Sequence, residues 1–143
     1  RRVHMTLYSK EILERSKNLS FTQKPSFITH CYRVSNPICG DRVEWQLHIA
    51  NQEIVEAWVD TKGCALCKAS TSLILGGLSG SSIDQVSTRT ENFLKDVDEI
   101  MGGAPTTGEA SLFDALPTAP ARRECVVLPW QCLKKAVNQG EGT

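Results

Sequence analysis

The residues best suited to do chemistry in this sequence stand together in the stretch Asn36–Asp41, which reads NPICGD. A thiol at Cys39 and a carboxylate at Asp41 are separated only by Gly40. Pro37 fixes its own φ angle and Gly40 is free to adopt positive φ angles, so the chain is expected to turn sharply here. A Cys and an Asp on such a turn can point towards one metal ion.

Two later cysteines, Cys64 and Cys125, complete a candidate set of four metal ligands. Thiolates are soft ligands that suit zinc and iron–sulfur clusters, and such sites are commonly tetrahedral. Both cysteines are predicted to lie at helix N-termini, where the helix dipole favours a thiolate over a thiol. The candidate metal ligands are Cys39, Asp41, Cys64 and Cys125.

Asp41 is the unusual member of this set, because a purely structural zinc site more often has Cys or His at that position. A hard oxygen ligand among sulfurs indicates a site that opens, exchanges a ligand or releases its cargo. The glycine turn carries Cys39 and Asp41, so we expect it to be the movable half of the site. Three basic residues beside the ligands in sequence could offset their negative charge: Lys62, Arg122 and Arg123.

Composition excludes several classes of partner. The sequence holds 16 basic and 16 acidic residues, so no overall field favours nucleic acid or an anionic membrane surface. Its apolar runs, of which Leu73-Ile74-Leu75 is typical, are far shorter than a membrane span. The sequence begins without the apolar segment of a secretory signal. Six cysteines in such a chain indicate reduced, metal-binding or catalytic thiols and a cytoplasmic location.

The length predicts a single domain covering residues 1–143, in which residues 1–4 could be a tag remnant or disordered and residues 138–143 a frayed tail. The spacing of apolar residues predicts an amphipathic helix from Thr6 to Lys17 with Leu19 extending its apolar side. A short edge strand is expected within residues 27–34.

A β-hairpin follows, because apolar and polar residues alternate with a period of two on both sides of Asn51-Gln52. The residues expected to face the core are Val43, Trp45, Leu47, Ile49, Val55, Ala57 and Val59. An antiparallel hairpin returns the chain to where it began, so Cys39, Asp41 and Cys64 should meet at one end of the sheet.

The rest of the sequence predicts helices, so the fold class is α+β: an N-terminal helix, a small antiparallel sheet of three strands and several C-terminal helices packed on it. Thr90 is the expected N-cap of the third of the helices that follow the sheet. Pro129 is expected in the first turn of the last helix. The predicted helical stretches are Cys64–Leu78, one containing Ile83 and Val86, one from Thr90 to Met101, Glu109–Leu116, and one starting near Cys125–Leu128.

Three motifs in this order resemble the U-type iron–sulfur cluster assembly proteins, the NifU N-terminal/IscU/SufU family. They are NPICGD at 36–41, KGCA at 62–65, and RREC followed by LPW at 122–130. The sequence is most similar to the SufU branch, because Glu124 stands where the IscU branch has a histidine. The long gap between Cys64 and Cys125 also accommodates the extra segment of SufU-type proteins around Gly102–Gly108.

The resemblance implies an IscU/SufU-like fold and a zinc ion held by Cys39, Asp41, Cys64 and Cys125. It implies that Cys39 accepts persulfide sulfur from a SufS-type cysteine desulfurase, and that downstream iron–sulfur assembly or carrier proteins follow. IscU-type relatives instead assemble a [2Fe–2S] cluster on the equivalent residues. A third possibility is an interaction module whose zinc only holds the fold.

Two further cysteines near this set have simpler interpretations. Cys67 follows Cys64 in a CxxC pair and could be a spare ligand or resolving thiol, but packing as a small hydrophobic side chain is favoured. Cys132 lies about two helical turns, roughly 10 Å, beyond Cys125, which is too far to share one ion. It is expected to pack in the core.

Overall fold

A computed structural model describes residues 7–17, 23–37, 40–105 and 108–139. The first helix, α1, spans Lys10–Arg15 and begins after Ser9, whose Oγ accepts a hydrogen bond from the N–H of Ile12. It is shorter than the helix expected from Thr6 to Lys17. Thr6 and Leu19 lie outside the described residues.

Three antiparallel strands form one sheet in the order β1-β2-β3, as predicted. Their bounds are His30–Ser35 for β1, Arg42–Ala50 for β2 and Glu53–Lys62 for β3. The expected edge strand begins at His30, so Phe27 and Ile28 precede it, and both side chains are exposed. Asn51 and Gln52 both have positive φ angles and turn the chain between β2 and β3, as type I′ hairpin turns require.

A β-bulge changes which residues of β3 face the core. The register runs from His48 opposite Glu56 to Ile49 opposite Ile54, so Val55 is an extra residue in its strand. Such an insertion reverses the alternation of side chains beyond it. Ile54 is therefore fully buried and Val55 is 49% exposed. The expectation that Val55 faces the core is wrong for this reason.

Helix α2 spans Ala65–Leu75 with Cys64 as its N-cap, and Gly76 follows its last residue. Helix α3 is one 19-residue helix, Ile83–Met101, where the sequence predicted two. Ser82 and Gln85 form a capping box at its start. Thr90 is fully buried in its interior and caps nothing. The capping box gives the N–H groups of Ser82 and Gln85 acceptors, so α3 begins at Ile83 and continues through Thr90 without a second helix start.

Three short 3₁₀ segments replace the helix expected at Glu109–Leu116, and helix α4 follows them from Arg123 to Gln139. Pro129 lies in the interior of α4 and not in its first turn, so that prediction is wrong. The Pro129 carbonyl accepts a hydrogen bond of 3.0 Å from Nε1 of Trp45 on β2. Asn138 and Gln139, in the stretch expected to be frayed, are part of α4. The 3₁₀ segments are Glu109–Phe113, Leu116–Thr118 and Pro120–Arg122.

The core lies between one face of the sheet and the helices. Helix α4 packs on β1, β2, α2 and α3, so it is central to this core. The Trp130 ring of α4 stacks on the Phe93 ring of α3 with centroids 4.1 Å apart. No helix in the described part of the chain is long and apolar enough to span a membrane. The α+β architecture expected from the sequence is confirmed.

Candidate metal site

One carboxylate and two thiols converge at the end of the sheet where β2 begins and β3 ends. Ligand atoms of Asp41, Cys64 and Cys125 all lie within 4.8 Å of one another. The register explains the first two, because Arg42 at the start of β2 pairs with Lys62 at the end of β3. Cys125 joins them from the first turn of α4. The structure therefore brings together three of the four predicted ligands.

The fourth predicted ligand, Cys39, lies outside the described residues. Its role as ligand and as sulfur acceptor therefore stays a prediction. Its neighbour Gly40 is described and has a φ angle of +77°, which is the positive value expected at this turn. Two backbone hydrogen bonds of 2.8 Å close the turn, from Gly40 N–H to the Asn36 carbonyl and from Asn36 N–H to the Asp41 carbonyl.

The Asp41 side chain is fixed in place and only 1% exposed. Its Oδ1 accepts a hydrogen bond of 3.1 Å from the backbone N–H of Cys64. Its Oδ2 is buried and has no hydrogen-bond donor among the residues that the structure describes. A buried carboxylate oxygen without a donor is costly, and a cation would satisfy it.

These contacts change the expected division of the site into a movable and a fixed half. Asp41 was expected to share the mobility of the glycine turn, but its burial and its bond to Cys64 place it with the fixed side chains. Cys64, Cys125 and Asp41 together form this fixed group.

Both cysteines of the group begin helices, as predicted. Cys64 is the N-cap of α2, yet its own side chain makes no capping hydrogen bond. The N–H of Cys64 itself donates to the Asp41 carboxylate. The Cys64 thiol, which is not used in capping, is available to a metal. Cys125 is 1% exposed in the first turn of α4.

Three cationic side chains are expected to offset the charge of the candidate ligands. Arg122 contacts one of these ligands, Cys125. Its Nη1 lies 4.0 Å from the Sγ of Cys125, and this interaction raises the pKa of Arg122. Arg123 instead pairs with Asp98 at 2.8 Å and Glu124 at 2.9 Å. Lys62 is exposed at the end of β3, opposite Arg42.

The electrostatics of the three side chains fit a bound cation. Burial raises the pKa of the Cys125 thiol well above its ordinary value, and the neighbouring Asp41 carboxylate and Cys64 thiol raise it further. The Arg122 guanidinium lowers this pKa but does not offset the rise, so deprotonating the thiol needs further positive charge. A divalent metal supplies that charge and accepts both thiolate sulfur and carboxylate oxygen. The donor set suits zinc and also the iron of an iron–sulfur cluster.

Cys67 and Cys132 are not part of this cluster of ligand atoms. Both side chains are fully buried in the hydrophobic core, in agreement with the packing role expected for them. The Sγ of Cys132 contacts the Tyr32 carbonyl at 3.4 Å and the Val43 carbonyl at 3.5 Å, which ties α4 to β1 and β2.

From the sequence, Gly63 is expected only to end the second strand of the hairpin, and its contact with the candidate site is missed. Gly63 has a φ angle of +154°, and its Cα faces the Asp41 carboxylate so closely that a Cβ there would overlap Oδ1. The sequence signal that could have indicated its importance is that Gly63 directly precedes the candidate ligand Cys64. The identity of its neighbour, Asp41, depends on the tertiary structure.

Comparison with known families identifies the class of protein that this fold and site define. The NifU-like N-terminal domain family matches residues 7–142, nearly the whole chain. The chain belongs to this family, and with it to the U-type iron–sulfur cluster assembly proteins. The resemblance drawn from the three motifs is thereby confirmed.

Curated relatives come from both branches of the family. The chain is 25% identical over 144 residues to the zinc-dependent sulfurtransferase SufU of Bacillus subtilis, covering 96% of this chain and 93% of the relative. It is also 25% identical over 137 residues to the iron–sulfur cluster assembly scaffold protein IscU of Thermotoga maritima, covering 96% of each. Equal identity to the two does not separate the SufU branch from the IscU branch.

Solved structures agree on the fold. The N-terminal NifU-like protein of Brucella abortus superposes with a TM-score of 0.80 at 20% identity, covering 93% of each chain. A protein from Fervidobacterium islandicum, described as an iron–sulfur cluster assembly scaffold for the SUF system, gives a TM-score of 0.75 at 25% identity. That match covers 92% of this chain and 96% of the other.

Proposed function

We propose that this protein is a zinc-bound sulfur acceptor of the SufU type that receives persulfide sulfur from a SufS-type cysteine desulfurase. The observation that carries the proposal is the convergence of Asp41, Cys64 and Cys125, whose ligand atoms lie within 4.8 Å of one another. The buried Asp41 Oδ2, which has no donor in the described structure, supports it. The sulfurtransferase relative from Bacillus subtilis supports the choice of zinc and of sulfur transfer.

The proposed ligands are the three described side chains together with Cys39 from the glycine turn. A bound zinc ion keeps thiolates deprotonated at neutral pH and binds them reversibly. Asp41, Cys64 and Cys125 hold the ion from fixed elements. We assign the chemistry to the fourth proposed ligand, Cys39, because the other three are held by fixed elements.

The proposed transfer is a thiolate–persulfide exchange. The Cys39 thiolate attacks the terminal sulfur of the persulfide on the desulfurase cysteine, and a new S–S bond forms on Cys39. The S–S bond of the donor breaks, and its cysteine leaves as a thiolate. No net oxidation or reduction occurs in this step. Downstream iron–sulfur assembly or carrier proteins would then receive the sulfur.

Reduced thiols are needed for this exchange, and no disulfide is assigned to the cysteines that the structure describes: Cys31, Cys64, Cys67, Cys125 and Cys132. We therefore place the protein in the cytoplasm, where thiols are kept reduced.

A second candidate function is a scaffold that assembles a [2Fe–2S] cluster on the same residues and hands it on. The match to IscU of Thermotoga maritima favours it as strongly by identity as the SufU match favours sulfur transfer. The two functions differ in what the purified protein carries. A colourless protein with about one zinc supports sulfur transfer or a module in which zinc only holds the fold. A brown protein with charge-transfer absorption supports the scaffold.

The decisive experiment mixes the zinc-loaded protein with a SufS-type desulfurase and cysteine, and follows alanine production. We expect stimulation of the desulfurase and a mass increase of one sulfur atom on Cys39 in peptide mass spectrometry. Cys39→Ser should lose both. Cys31→Ser is the matched control, because Cys31 is a half-buried thiol near the start of β1 and outside the ligand cluster.

Two results would contradict the proposal. One is uptake of sulfur by Cys39→Ser at the normal rate. The other is a wild-type protein that binds zinc but leaves the desulfurase rate unchanged.

A further inference from the structure

We propose that Gly63 is a positioning residue of the metal site, whose missing side chain forms the space that holds the Asp41 carboxylate. The inference rests on the proposed metal site but not on sulfur transfer. Any side chain at position 63 would displace Asp41 from the ligand cluster while Cys64 and Cys125 remain.

The close approach of Gly63 to Asp41 carries the proposal. A Cβ on Gly63 would overlap Asp41 Oδ1, and it would lie 2.7 Å from Cγ and 3.2 Å from Cα of the same residue. Two of these three atoms belong to the carboxylate group and the third to the backbone. Asp41 is only 1% exposed and its Oδ1 is bonded to the Cys64 N–H, so its carboxylate can make room for a Cβ only by leaving its present position.

The two oxygens of the Asp41 carboxylate have different contacts. Oδ1 accepts the hydrogen bond from Cys64 N–H, the residue directly after Gly63, and so holds Asp41 against the start of α2. Oδ2 is the buried oxygen without a described donor. Displacing Oδ1 therefore removes the bond that orients Asp41 and moves the carboxylate away from the two sulfurs at the same time.

The backbone at Gly63 also favours glycine, because its φ angle of +154° is one that residues with a side chain rarely adopt. This cost is separate from the effect on Asp41, and an experiment must subtract it. Gly77 offers the matched control. Its φ angle is +82°, and a Cβ there would meet nothing within 4 Å.

The experiment compares Gly63→Ala with Gly77→Ala and with Asp41→Ala, using cobalt(II) and zinc as probes and no desulfurase. Cobalt absorption bands report the number and type of ligands. Zinc affinity is measured by competition with a chromogenic chelator. We expect the cobalt spectrum of Gly63→Ala to resemble that of Asp41→Ala and its zinc affinity to fall about 10- to 100-fold, the usual effect of losing a ligand-orienting contact. Gly77→Ala should match the wild type in both.

The double variant Gly63→Ala/Asp41→Ala separates positioning of Asp41 from general damage. If Gly63 acts through Asp41, the substitution at position 63 should lower zinc affinity less than twofold further once Asp41 is gone. Removing the carboxylate also makes room for the new Cβ. The double variant should then be more resistant to urea than Gly63→Ala, which keeps the test usable if the single variant folds poorly.

Three outcomes would overturn the inference: a wild-type cobalt spectrum and zinc affinity in Gly63→Ala, an equal loss of affinity in the presence and absence of the Asp41 side chain, or a wild-type protein that binds neither metal. Failure of the sulfur-transfer proposal is distinguishable, since that result comes from the desulfurase assay and leaves these metal measurements unchanged.

Discussion

Ser70 connects the two helices that carry Cys64 and Cys125. Its side chain is fully buried in α2, donates a hydrogen bond of 2.6 Å to the Val126 carbonyl and accepts one of 2.8 Å from Trp130 Nε1. Both partners belong to α4, and Val126 directly follows Cys125. The separation of the two cysteines is therefore set partly by one hydroxyl group.

We predict that Ser70→Ala lowers the free energy of unfolding by about 1–3 kcal/mol, because a buried N–H and a buried carbonyl lose their common partner. Urea unfolding of the metal-free protein measures it. Ser81→Ala is the control: Ser81 also donates to a backbone carbonyl, that of Gly77, but at an exposed position, so its change should stay within about 0.5 kcal/mol. Equal losses in the two variants would argue against a special role for Ser70.

At the scale of elements, α4 contacts the sheet and also carries one residue of the candidate metal site. Its first turn carries Cys125, and further along the Cys132 thiol contacts the carbonyls of Tyr32 and Val43 on the first two strands. Burial raises the pKa of Cys132 to about 12 from its ordinary value of 9.0. The folded protein therefore holds this proton more tightly than the unfolded chain does.

This difference predicts a loss of stability in alkali. Below pH 9 the thiol is protonated in both states and its contribution to stability is complete. Between about pH 9 and pH 12 the unfolded chain deprotonates first, so stability falls by up to about 1.4 kcal/mol per pH unit. Cys132→Ala should be less stable near pH 7 but should show a shallower decline above pH 9. Urea unfolding across this range measures the slopes.

The half-buried Cys31 supplies the comparison for this alkaline slope. Cys31→Ala removes a thiol from β1 and leaves Cys132 in place, so the part of the slope that comes from Cys132 should remain. If Cys132→Ala retained the full wild-type slope, the buried thiol would not be its source.

At the scale of the whole molecule, the proposed metal ties together three segments that are distant in the chain. Asp41 precedes β2, Cys64 begins α2 and Cys125 lies at the start of α4. The unfolded chain cannot hold these residues together, so a metal that binds them stabilises the folded state.

We predict that zinc raises the melting temperature measured by calorimetry and that a chelator lowers it. A free zinc concentration 100-fold above the dissociation constant corresponds to about 2.7 kcal/mol of added stability. Cys64→Ser should lose most of this shift, whereas Cys31→Ser should retain it because Cys31 is outside the ligand cluster. A zinc-dependent shift of full size in Cys64→Ser would place the bound metal elsewhere.

Local patterns in the sequence determined the classes of element and the identity of the site. The alternation around Asn51-Gln52 predicted the hairpin, and an antiparallel hairpin alone brings Asp41 near Cys64. Three motifs in order, at 36–41, 62–65 and 122–130, were enough to identify the family, which the match over residues 7–142 confirms.

Tertiary structure decided what depends on residues distant in sequence. The bulge at Val55 and the position of Pro129 inside α4 follow from packing between elements, which no local pattern records. The burial of Asp41 also depends on residues distant in sequence. Its sequence context suggested a movable ligand on a glycine turn, and the folded chain buries it between Gly63 and the start of α2. The physical reason is steric: a carboxylate fits there only because residue 63 has no side chain.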